Sequence, residues 1–360
     1  MINYQIGLKI FRTLGCKWLF CLWQMSMALH LCGSEILINP VPVAVIINPC
    51  PQCTLINSVD FHPKKNLFCV TYAQGNRVVL YKNDASGKPE IVQTLRNPSA
   101  RLSSPQHAVF SSDGKKIIVA NWTSQTLSIY QGEENGLFGA QPSAVIPRPK
   151  GLKRHRPHGI AMSPCGNFLA IAYGASSRYG KAIALFLMTE NGCKLVSILQ
   201  ASEGLPGIPK GITFSPDGTC LLVTFSDVNS LVIFDFDSES QVILPTPRQT
   251  IQGENTGISR PEDVKISRDG RFCAITNSDK HTVNFYPFDQ FSNSITQSTP
   301  SYVLQNPEAG FSVPHGIAFS PDGCFMVITE FGPVGTTKHG DIIMSGMRPD
   351  QSKVSIYKLL

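Results

Sequence analysis

The chain has 360 residues, of which 42% are hydrophobic and 16% are charged, and it contains 29 glycines and 26 prolines. This length allows one large domain or two ordinary ones with a buried core, and the many glycines and prolines favour short strands over helices. The net charge of +6 is mild for this length, and no RNA- or DNA-binding motif is present, so composition does not indicate a nucleic-acid partner.

Residues 1–40 form an N-terminal extension of different composition. Three basic residues and no acidic one precede an apolar run from Trp18 to Cys32. This order is typical of a signal peptide or a membrane anchor, but polar residues interrupt the run, and it is short for a bilayer span. Because the eleven cysteines show no regular framework, reduced thiols are expected, and the cytoplasm is favoured over export. The role of the CxxC pair Cys50 and Cys53 stays open.

Six copies of one motif follow at a nearly constant spacing. Each copy has an apolar anchor residue at the end of a first strand, A: Phe61, Phe110, Met162, Phe214, Ile266 and Phe319. The intervals of 49 to 53 residues are typical of an array of supersecondary units. A turn such as "SPDG" follows the anchor, so strands A and B are predicted to form a hairpin in which the aspartate is a turn residue.

Two further strands complete each unit. Strand C ends on an aromatic residue in every copy, which predicts buried contacts between units: Tyr81, Tyr130, Phe186, Phe234, Tyr286 and Tyr357. A weaker strand D follows in five copies, and the missing sixth is predicted at Val43–Asn48, where it would remove an exposed sheet edge. The sequence therefore predicts an all-β, six-bladed β-propeller of four-stranded blades over residues 41–360, closed by an N-terminal strand. A seven-bladed propeller with one degenerate blade is the alternative.

The repeats resemble those of the lactonase-like, YVTN-type β-propeller proteins, through the "SPDG" turn, the following strand B and the aromatic end of strand C. This resemblance covers residues 41–360 and implies either a sugar-lactone hydrolase or a binding protein without chemistry. Seven blades are usual for phosphogluconolactonase-like propellers, whereas six are counted here. Six-bladed gluconolactonase-like enzymes use Glu and Asn around a metal, and by that analogy four residues could offer oxygen ligands to a divalent cation: Asn121, Asn277, Glu330 and Glu262. No ligand spacing supports a metal, so none is assigned.

One polar residue lies four positions before each anchor, at the start of strand A: Asn57, Gln106, His158, Lys210, Glu262 and His315. Since strand A lines the axis of a propeller, these residues are predicted to form a collar at one mouth of the channel. The collar is either a binding site or a solvated lining. His158 and His315 belong to blades three and six, which are expected to face each other across the ring.

Loop lengths point to the same face. The B–C connections of blades three and six are longer than the others, and long loops on a rigid scaffold commonly carry function. They contain Arg178 and His339, and a basic loop with Arg154 and Arg156 leads directly into His158. These residues are predicted to attract a small anionic ligand or an acidic partner.

Two functions are consistent with these patterns. The first is a monomeric propeller that binds a small anionic ligand or a protein partner, without nucleic acid, cofactor or a membrane span in the propeller. The second is a lactone hydrolase in which His158 or His315 is the general base, Glu262 orients a histidine and Lys210 holds an anionic group. Because no nucleophile–base motif is present, the sequence favours binding by a small margin.

Overall fold

The computed structural model describes residues 38–48, 55–96, 98–99, 101–152, 155–174, 180–306, 310–332, 335–336, 342–343 and 351–359. These residues are nearly all strands and turns, with two short 3₁₀ helices, Ala201–Glu203 and Glu254–Thr256. Among them, no helix has the length and apolar character needed to cross a membrane. The predicted N-terminal extension, apart from its last three residues, and the Cys50–Cys53 pair lie outside the described residues.

The strands follow the predicted repeat. The first is β1 (Ala44–Ile47), and blade one contains β2 (Ile56–Phe61), β3 (Leu67–Tyr72), β4 (Arg77–Asn83) and β5 (Pro89–Arg96). Blade two contains β6 (Pro105–Phe110), β7 (Lys116–Asn121), β8 (Thr126–Gln131) and β9 (Ala144–Pro147). Blade three contains β10 (Pro157–Met162), β11 (Phe168–Tyr173), β12 (Ala182–Thr189) and β13 (Gly192–Gln200).

The second half of the chain repeats this order. Blade four contains β14 (Pro209–Phe214), β15 (Cys220–Phe225), β16 (Ser230–Asp237) and β17 (Val242–Gln252). Blade five contains β18 (Pro261–Ile266), β19 (Phe272–Asn277), β20 (Thr282–Asp289), β21 (Ser294–Ile295) and β22 (Tyr302–Leu304). Blade six contains β23 (Pro314–Phe319) and β24 (Phe325–Glu330), then the separate hairpin β25 (Gly335–Thr336) and β26 (Ile342–Ile343), then β27 (Lys353–Lys358).

The described residues form six antiparallel blades, each with strands A to D in order from the axis outward. In blade five, β21 and β22 both pair with β20 and share the outer position. Each strand A contacts strand A of both neighbouring blades, including β23 of blade six with β2 of blade one. The ring is therefore closed, and the predicted six-bladed propeller is confirmed.

The two ends of the propeller share one sheet. Strand β1 pairs antiparallel with β27, in a register that sets Ala44 opposite Ile356 and Ile47 opposite Lys353. The backbone N–H of Val43 extends this ladder by donating to the Ile356 carbonyl at 2.8 Å. The predicted N-terminal closing strand is therefore confirmed, and it covers an edge of β27 that would otherwise be open for pairing.

The core lies between the blades. All six aromatic residues that end strand C are at most 2% exposed, as predicted. In blade one, the Tyr81 ring stacks on Phe68 with the ring centroids 5.3 Å apart. Each such side chain removes a large apolar area from water, a contribution of about 1.5–3 kcal/mol per residue.

Turns of the "SPDG" type, with an aspartate at the third position, connect strands A and B in blades two, four, five and six. In blade four, Ser215 Oγ donates to Asp217 Oδ1 at 2.6 Å, and the same carboxylate accepts the backbone N–H of Thr219 at 3.0 Å. Gly218 follows with a φ of 75°, a conformation that glycine adopts without steric cost. The aspartates of these turns are thus structural, as predicted.

Candidate functional site

The six polar residues predicted for the channel mouth meet on the propeller axis. Each is the second residue of strand A in its blade. We call them the axial cluster: Asn57, Gln106, His158, Lys210, Glu262 and His315. The Asn57 amide donates to Gln106 Oε1 at 2.6 Å, and the Gln106 amide nitrogen lies 3.1 Å from His158 Nε2. Since neighbouring A strands lie side by side, consecutive members of the cluster are within hydrogen-bonding distance.

Glu262 is the centre of charge in the axial cluster. Its Oε2 accepts a hydrogen bond from Lys210 Nζ at 3.0 Å and lies 3.4 Å from His315 Nε2 and 3.7 Å from His158 Nε2. Arg260 lies two residues before Glu262, just ahead of strand β18, and its Nε is 3.8 Å from Glu262 Oε1. One buried carboxylate therefore faces two cations and two imidazoles.

Backbone contacts decide which nitrogen of His315 carries the proton. His315 Nδ1 lies 2.8 Å from the carbonyl oxygen of Asn57, which can only accept, so Nδ1 is protonated. In the neutral ring, Nε2 is then the basic nitrogen, and it lies 3.4 Å from Glu262 Oε2. His158 differs, because Lys210 Nζ lies 3.2 Å and the Gln106 amide 3.1 Å from its Nε2, and both groups can donate to it.

The electrostatics keep both imidazoles neutral near neutral pH. Burial, followed by the positive charge of Lys210, holds the pKa of His158 well below its usual range. Burial also lowers the pKa of His315, although the Glu262 carboxylate partly opposes that shift. Burial disfavours ionisation of Glu262 as well, but Lys210, His315 in its protonated form and Arg260 together outweigh it and lower the pKa of this carboxyl group. The site thus contains an ionised glutamate beside two uncharged imidazoles.

Most of the axial cluster is buried, which differs from the solvated lining that was one of the two interpretations of the collar. Asn57, Glu262, His158 and His315 are only 1%, 2%, 3% and 6% exposed, and Gln106 and Lys210 are partly exposed. The physical reason is that the ring is narrow: the rings of His158 and His315, from opposite blades, have centroids 5.5 Å apart. The side chains therefore bond to each other across the axis rather than to bulk water.

Residues of the D–A and B–C loops cover the two histidines. Phe331, directly after β24, stacks on His315 with the ring centroids 4.5 Å apart, and Trp122, directly after β7, lies edge-on to His158 at 6.1 Å. The Arg156 guanidinium lies 5.5 Å from the Trp122 ring and donates to the Trp122 carbonyl at 3.1 Å. The two loop types therefore meet on one face, as the sequence predicted.

Three predicted ligand-binding residues have other partners. The side-chain oxygens of Asn121, Asn277 and Glu330 accept the backbone N–H of Ser103, Ser259 and Ser312, at 3.1, 3.0 and 3.1 Å. Each residue ends strand B and holds the D–A loop of its own blade. These oxygen atoms therefore serve the D–A loops within their own blades.

Glu330 differs from the two asparagines in carrying an ionisable group. It is fully buried, accepts a hydrogen bond from Ser355 Oγ, and lies 3.6 Å from Lys353 Nζ. Burial raises its pKa to about 7. The remaining predicted site residues Arg154, Arg178 and His339 lie outside the described residues.

Sequence reasoning missed a set of threonines that position the axial cluster. Thr276 Oγ1 donates to the His315 carbonyl at 2.8 Å, and Thr329 Oγ1 donates to the Asn57 carbonyl at 2.9 Å. Each threonine is the fifth residue of strand B, and it links its blade to strand A of the next blade. The signal was present, since four copies of the repeat carry Thr at this position: Thr71, Thr224, Thr276 and Thr329.

Two histidines and a carboxylate are a ligand set for a transition metal. One ligand atom from each of His158, Glu262 and His315 lies within 4.8 Å of the others. The hydrogen bond from His315 Nδ1 to a backbone carbonyl would orient the ring for a metal at Nε2. However, the ammonium of Lys210 already bonds both Glu262 and His158, so a metal ion would have to displace a positive charge.

Solved structures of several propellers superimpose on this chain. The periplasmic gluconolactonase of Pseudomonas aeruginosa has a TM-score of 0.57 at 17% identity, over 83% of this chain and 87% of that chain. A candidate 6-phosphogluconolactonase from Bacteroides fragilis has a TM-score of 0.55 at 14% identity, over 82% and 85%. A chain of the mitotic checkpoint complex has a TM-score of 0.56 at 14% identity, over 90% of this chain and 94% of that chain. At these identities, the similarity shows the fold alone.

Sequence comparison is more specific. No curated protein matches the chain significantly. A family model described as "Lactonase, 7-bladed beta-propeller" matches residues 56–259, which is more than half of the chain. The match spans blades one to four, so Asn57, Gln106, His158 and Lys210 lie within it, and Glu262 and His315 follow it. The chain therefore belongs to the lactonase, 7-bladed beta-propeller family, with six blades in its described residues.

Proposed function

We propose that this protein hydrolyses a lactone at the axial cluster, with His315 as the general base. The observation that carries the proposal is the position of His315: Nδ1 donates to a backbone carbonyl, which leaves Nε2 as the basic nitrogen of the neutral ring, 3.4 Å from the Glu262 carboxylate. A neutral imidazole of this kind is available to take a proton near neutral pH. Of the two functions that the sequence left open, family membership supports lactone hydrolysis more than binding without turnover.

The reaction needs one proton carrier. His315 Nε2 removes a proton from a water molecule as the water oxygen attacks the lactone carbonyl carbon, and Glu262 stabilises the resulting imidazolium. When the tetrahedral intermediate collapses, the ring C–O bond breaks, and the imidazolium returns the proton to the leaving alkoxide oxygen. The product is the open-chain hydroxy acid, and the histidine is neutral again.

Lys210 is placed to stabilise the oxyanion of the intermediate. Its ammonium is held between His158 Nε2 at 3.2 Å and Glu262 Oε2 at 3.0 Å, and its side chain is 13% exposed. A fixed positive charge in a site with little water stabilises a developing oxyanion strongly. Because Phe331 covers His315, the substrate is expected to approach past Lys210 and Gln106, the partly exposed members of the cluster.

The test is hydrolysis of a panel of sugar lactones, phosphorylated and unphosphorylated, by the purified protein. Replacing a general base costs typically about 10²- to 10⁴-fold in rate, so His315→Ala and His315→Gln are expected to lose kcat/KM in this range. The exposed Glu90→Gln is the matched control and should retain full activity. Thermal unfolding of each variant separates loss of chemistry from loss of fold.

Two results would contradict this proposal. Wild-type-like hydrolysis by folded His315 variants would remove His315 from the mechanism. Binding of an anionic ligand at the cluster, without hydrolysis of any lactone in the panel, would instead support the binding function that the sequence favoured.

The proposed reaction does not require a divalent cation. The reason is that Lys210 already supplies the positive charge between His158 and Glu262. Dialysis against EDTA is therefore expected to leave the rate of lactone hydrolysis unchanged. A loss of activity that Zn²⁺ or Ca²⁺ restores would show that a metal replaces the ammonium.

A further inference from the structure

The opposite end of the channel contains a cavity that none of the predicted site residues occupies. Its volume is about 490 Å³, within the range of about 300–1,000 Å³ that is usual for small-molecule sites. All six A–B turns contribute to its rim, each through its second residue: Pro63, Ser112, Pro164, Pro216, Arg268 and Pro321. Four prolines make this rim stiff, so the cavity is formed before any ligand arrives.

The cavity is distinct from the axial cluster. Its inner wall includes Asp60 and Lys265, which are the fifth residues of strands β2 and β18, whereas the cluster uses the second residues. Three residues along a strand span about 10 Å. Between the two levels, glycines at the third position allow close contact of neighbouring strands, so that a Cβ on Gly316 would lie 2.8 Å from the Asn57 carbonyl.

Positive charge in the cavity exceeds negative charge. Lys265 lines the wall and is partly buried, and Lys64 and Arg268 lie at the rim. Among the described residues, none of these three cations forms a hydrogen bond or a close ion pair. The charge of Lys265 nevertheless acts on two buried carboxylates, Asp60 and Asp263, and opposes the rise of their pKa values that burial causes. The wall contains one carboxylate, Asp60, whose Oδ2 accepts the backbone N–H of Phe110 at 2.9 Å. His62 adds no charge near neutral pH, because burial lowers its pKa.

We propose that this cavity is a second binding site, which takes a small organic polyanion such as a phosphorylated or polycarboxylate metabolite. Three cations and one carboxylate line this concave, preformed site, and such a surplus of positive charge attracts a ligand with at least two negative charges. The enclosing ring of turns admits a compact ligand more readily than an extended chain. The site lies outside the proposed reaction centre and does not depend on it.

Calorimetric titration of the full-length protein with citrate and with pyrophosphate tests this proposal. Lys265→Met is expected to weaken binding at least tenfold, because it removes the cation deepest in the cavity. Asp60→Asn is expected to tighten binding, since it removes the opposing charge while its amide oxygen can still accept the Phe110 N–H. The control Lys194→Met changes an exposed lysine on the outer strand of blade three and should have no effect.

The experiment is decisive because Lys265→Met and Asp60→Asn are expected to change the affinity in opposite directions. Equal affinity of Lys265→Met and the wild type, or equal weakening by Lys194→Met, would show general electrostatic attraction and overturn the proposal. Binding of an acidic peptide but of neither small anion would also overturn it, in favour of a protein partner. Lactone hydrolysis by Lys265→Met is expected to be unchanged, so failure of the second site is distinguishable from failure of the reaction centre.

Discussion

At the residue scale, Glu262 sets the properties of its neighbours. It is 2% exposed, and a buried carboxylate is costly unless it is paired. Lys210 and Arg260 supply the pairing charges, and His315 shares the same carboxylate oxygen as Lys210. Glu262 also stabilises the protonated form of His315. Its negative charge therefore favours the proposed proton transfer to His315.

The pH dependence of kcat/KM tests this coupling. Burial holds the pKa of His315 below 6.5, so the acid limb of the profile is expected below that pH. Glu262 acts against this shift, and Glu262→Gln should therefore move the acid limb of the remaining activity to still lower pH. Glu254→Gln, an exposed substitution, serves as the control. An acid limb above pH 6.5, or one that Glu262→Gln moves upward, would contradict the assignment.

Glu330 is expected to make stability depend on pH. Its pKa is about 7 in the folded protein, against 4.5 for an unperturbed glutamate, so the folded state holds a proton that the unfolded state has lost. The contribution of this group to the free energy of unfolding is therefore fully present below pH 4.5 and is lost as pH rises through 7, by about 3 kcal/mol. Glu330→Gln should remove this loss, since an amide can accept from Ser312 and donate to Ser355.

Urea denaturation at pH 5 and pH 8 measures the effect. Glu330→Gln is expected to exceed the wild type by about 1–2 kcal/mol in free energy of unfolding at pH 8, with a smaller difference at pH 5. Glu90→Gln, on the surface of blade one, should leave the free energy of unfolding unchanged at both pH values. A less stable Glu330→Gln protein at pH 8 would mean that the ion pair with Lys353 outweighs burial.

At the scale of the element, β1 is an outer strand whose two faces differ. Ala44 and Ile46 pack against the core of the neighbouring blade, whereas Val45 and Ile47 are exposed. The closing strand therefore stabilises the ring through one face and through its backbone ladder with β27. An alternating pattern in four residues is enough to orient it, because side chains alternate across a strand.

Matched substitutions on this strand separate the two faces. Ile46→Ala removes partly buried methyl groups and is expected to lower the free energy of unfolding by about 1–3 kcal/mol. Ile47 is 63% exposed, so Ile47→Ala should change the free energy of unfolding by less than about 0.5 kcal/mol. Thermal or urea unfolding of both variants measures the difference. Equal effects of the two substitutions would contradict the orientation of β1.

At the scale of the whole molecule, the ring closes because the A strands approach closely around the axis. Gly211 in β14 illustrates this, since a Cβ there would lie 2.5 Å from the Cα of Asp263 in the next blade. No side chain can be accommodated without moving one strand away from the other. The spacing between blades, and with it the geometry of the axial cluster, therefore depends on such glycines.

Gly211→Ala tests this dependence. Overpacking costs typically about 1–3 kcal/mol, and the proposed hydrolysis should also fall, because Lys210 is the adjacent residue. The control is Gly151→Ala, where the nearest atom to the new Cβ would be 3.9 Å away. That change is expected to be neutral in both unfolding and activity. Wild-type stability of Gly211→Ala would show that the blades can separate at no cost.

The sequence by itself determined the blades, the closing strand and the positions of the axial residues. These features repeat every 49 to 53 residues, and a repeated hydrophobic and turn pattern can be read locally. Asp217 is an example, because its role in the turn depends only on Ser215 and Thr219, two positions away on either side.

How the polar residues of different blades meet depends on the packing of the complete ring. His158 and His315 are 157 positions apart in the sequence, yet their ring centroids lie 5.5 Å apart, so that most of the axial cluster is buried. The cavity around Lys265 likewise forms only when the turns of all six blades meet, and its positive charge comes from blades one and five. Sequence periodicity specifies which residues face the axis, but the width of the channel and the partners across it follow from packing of the complete ring.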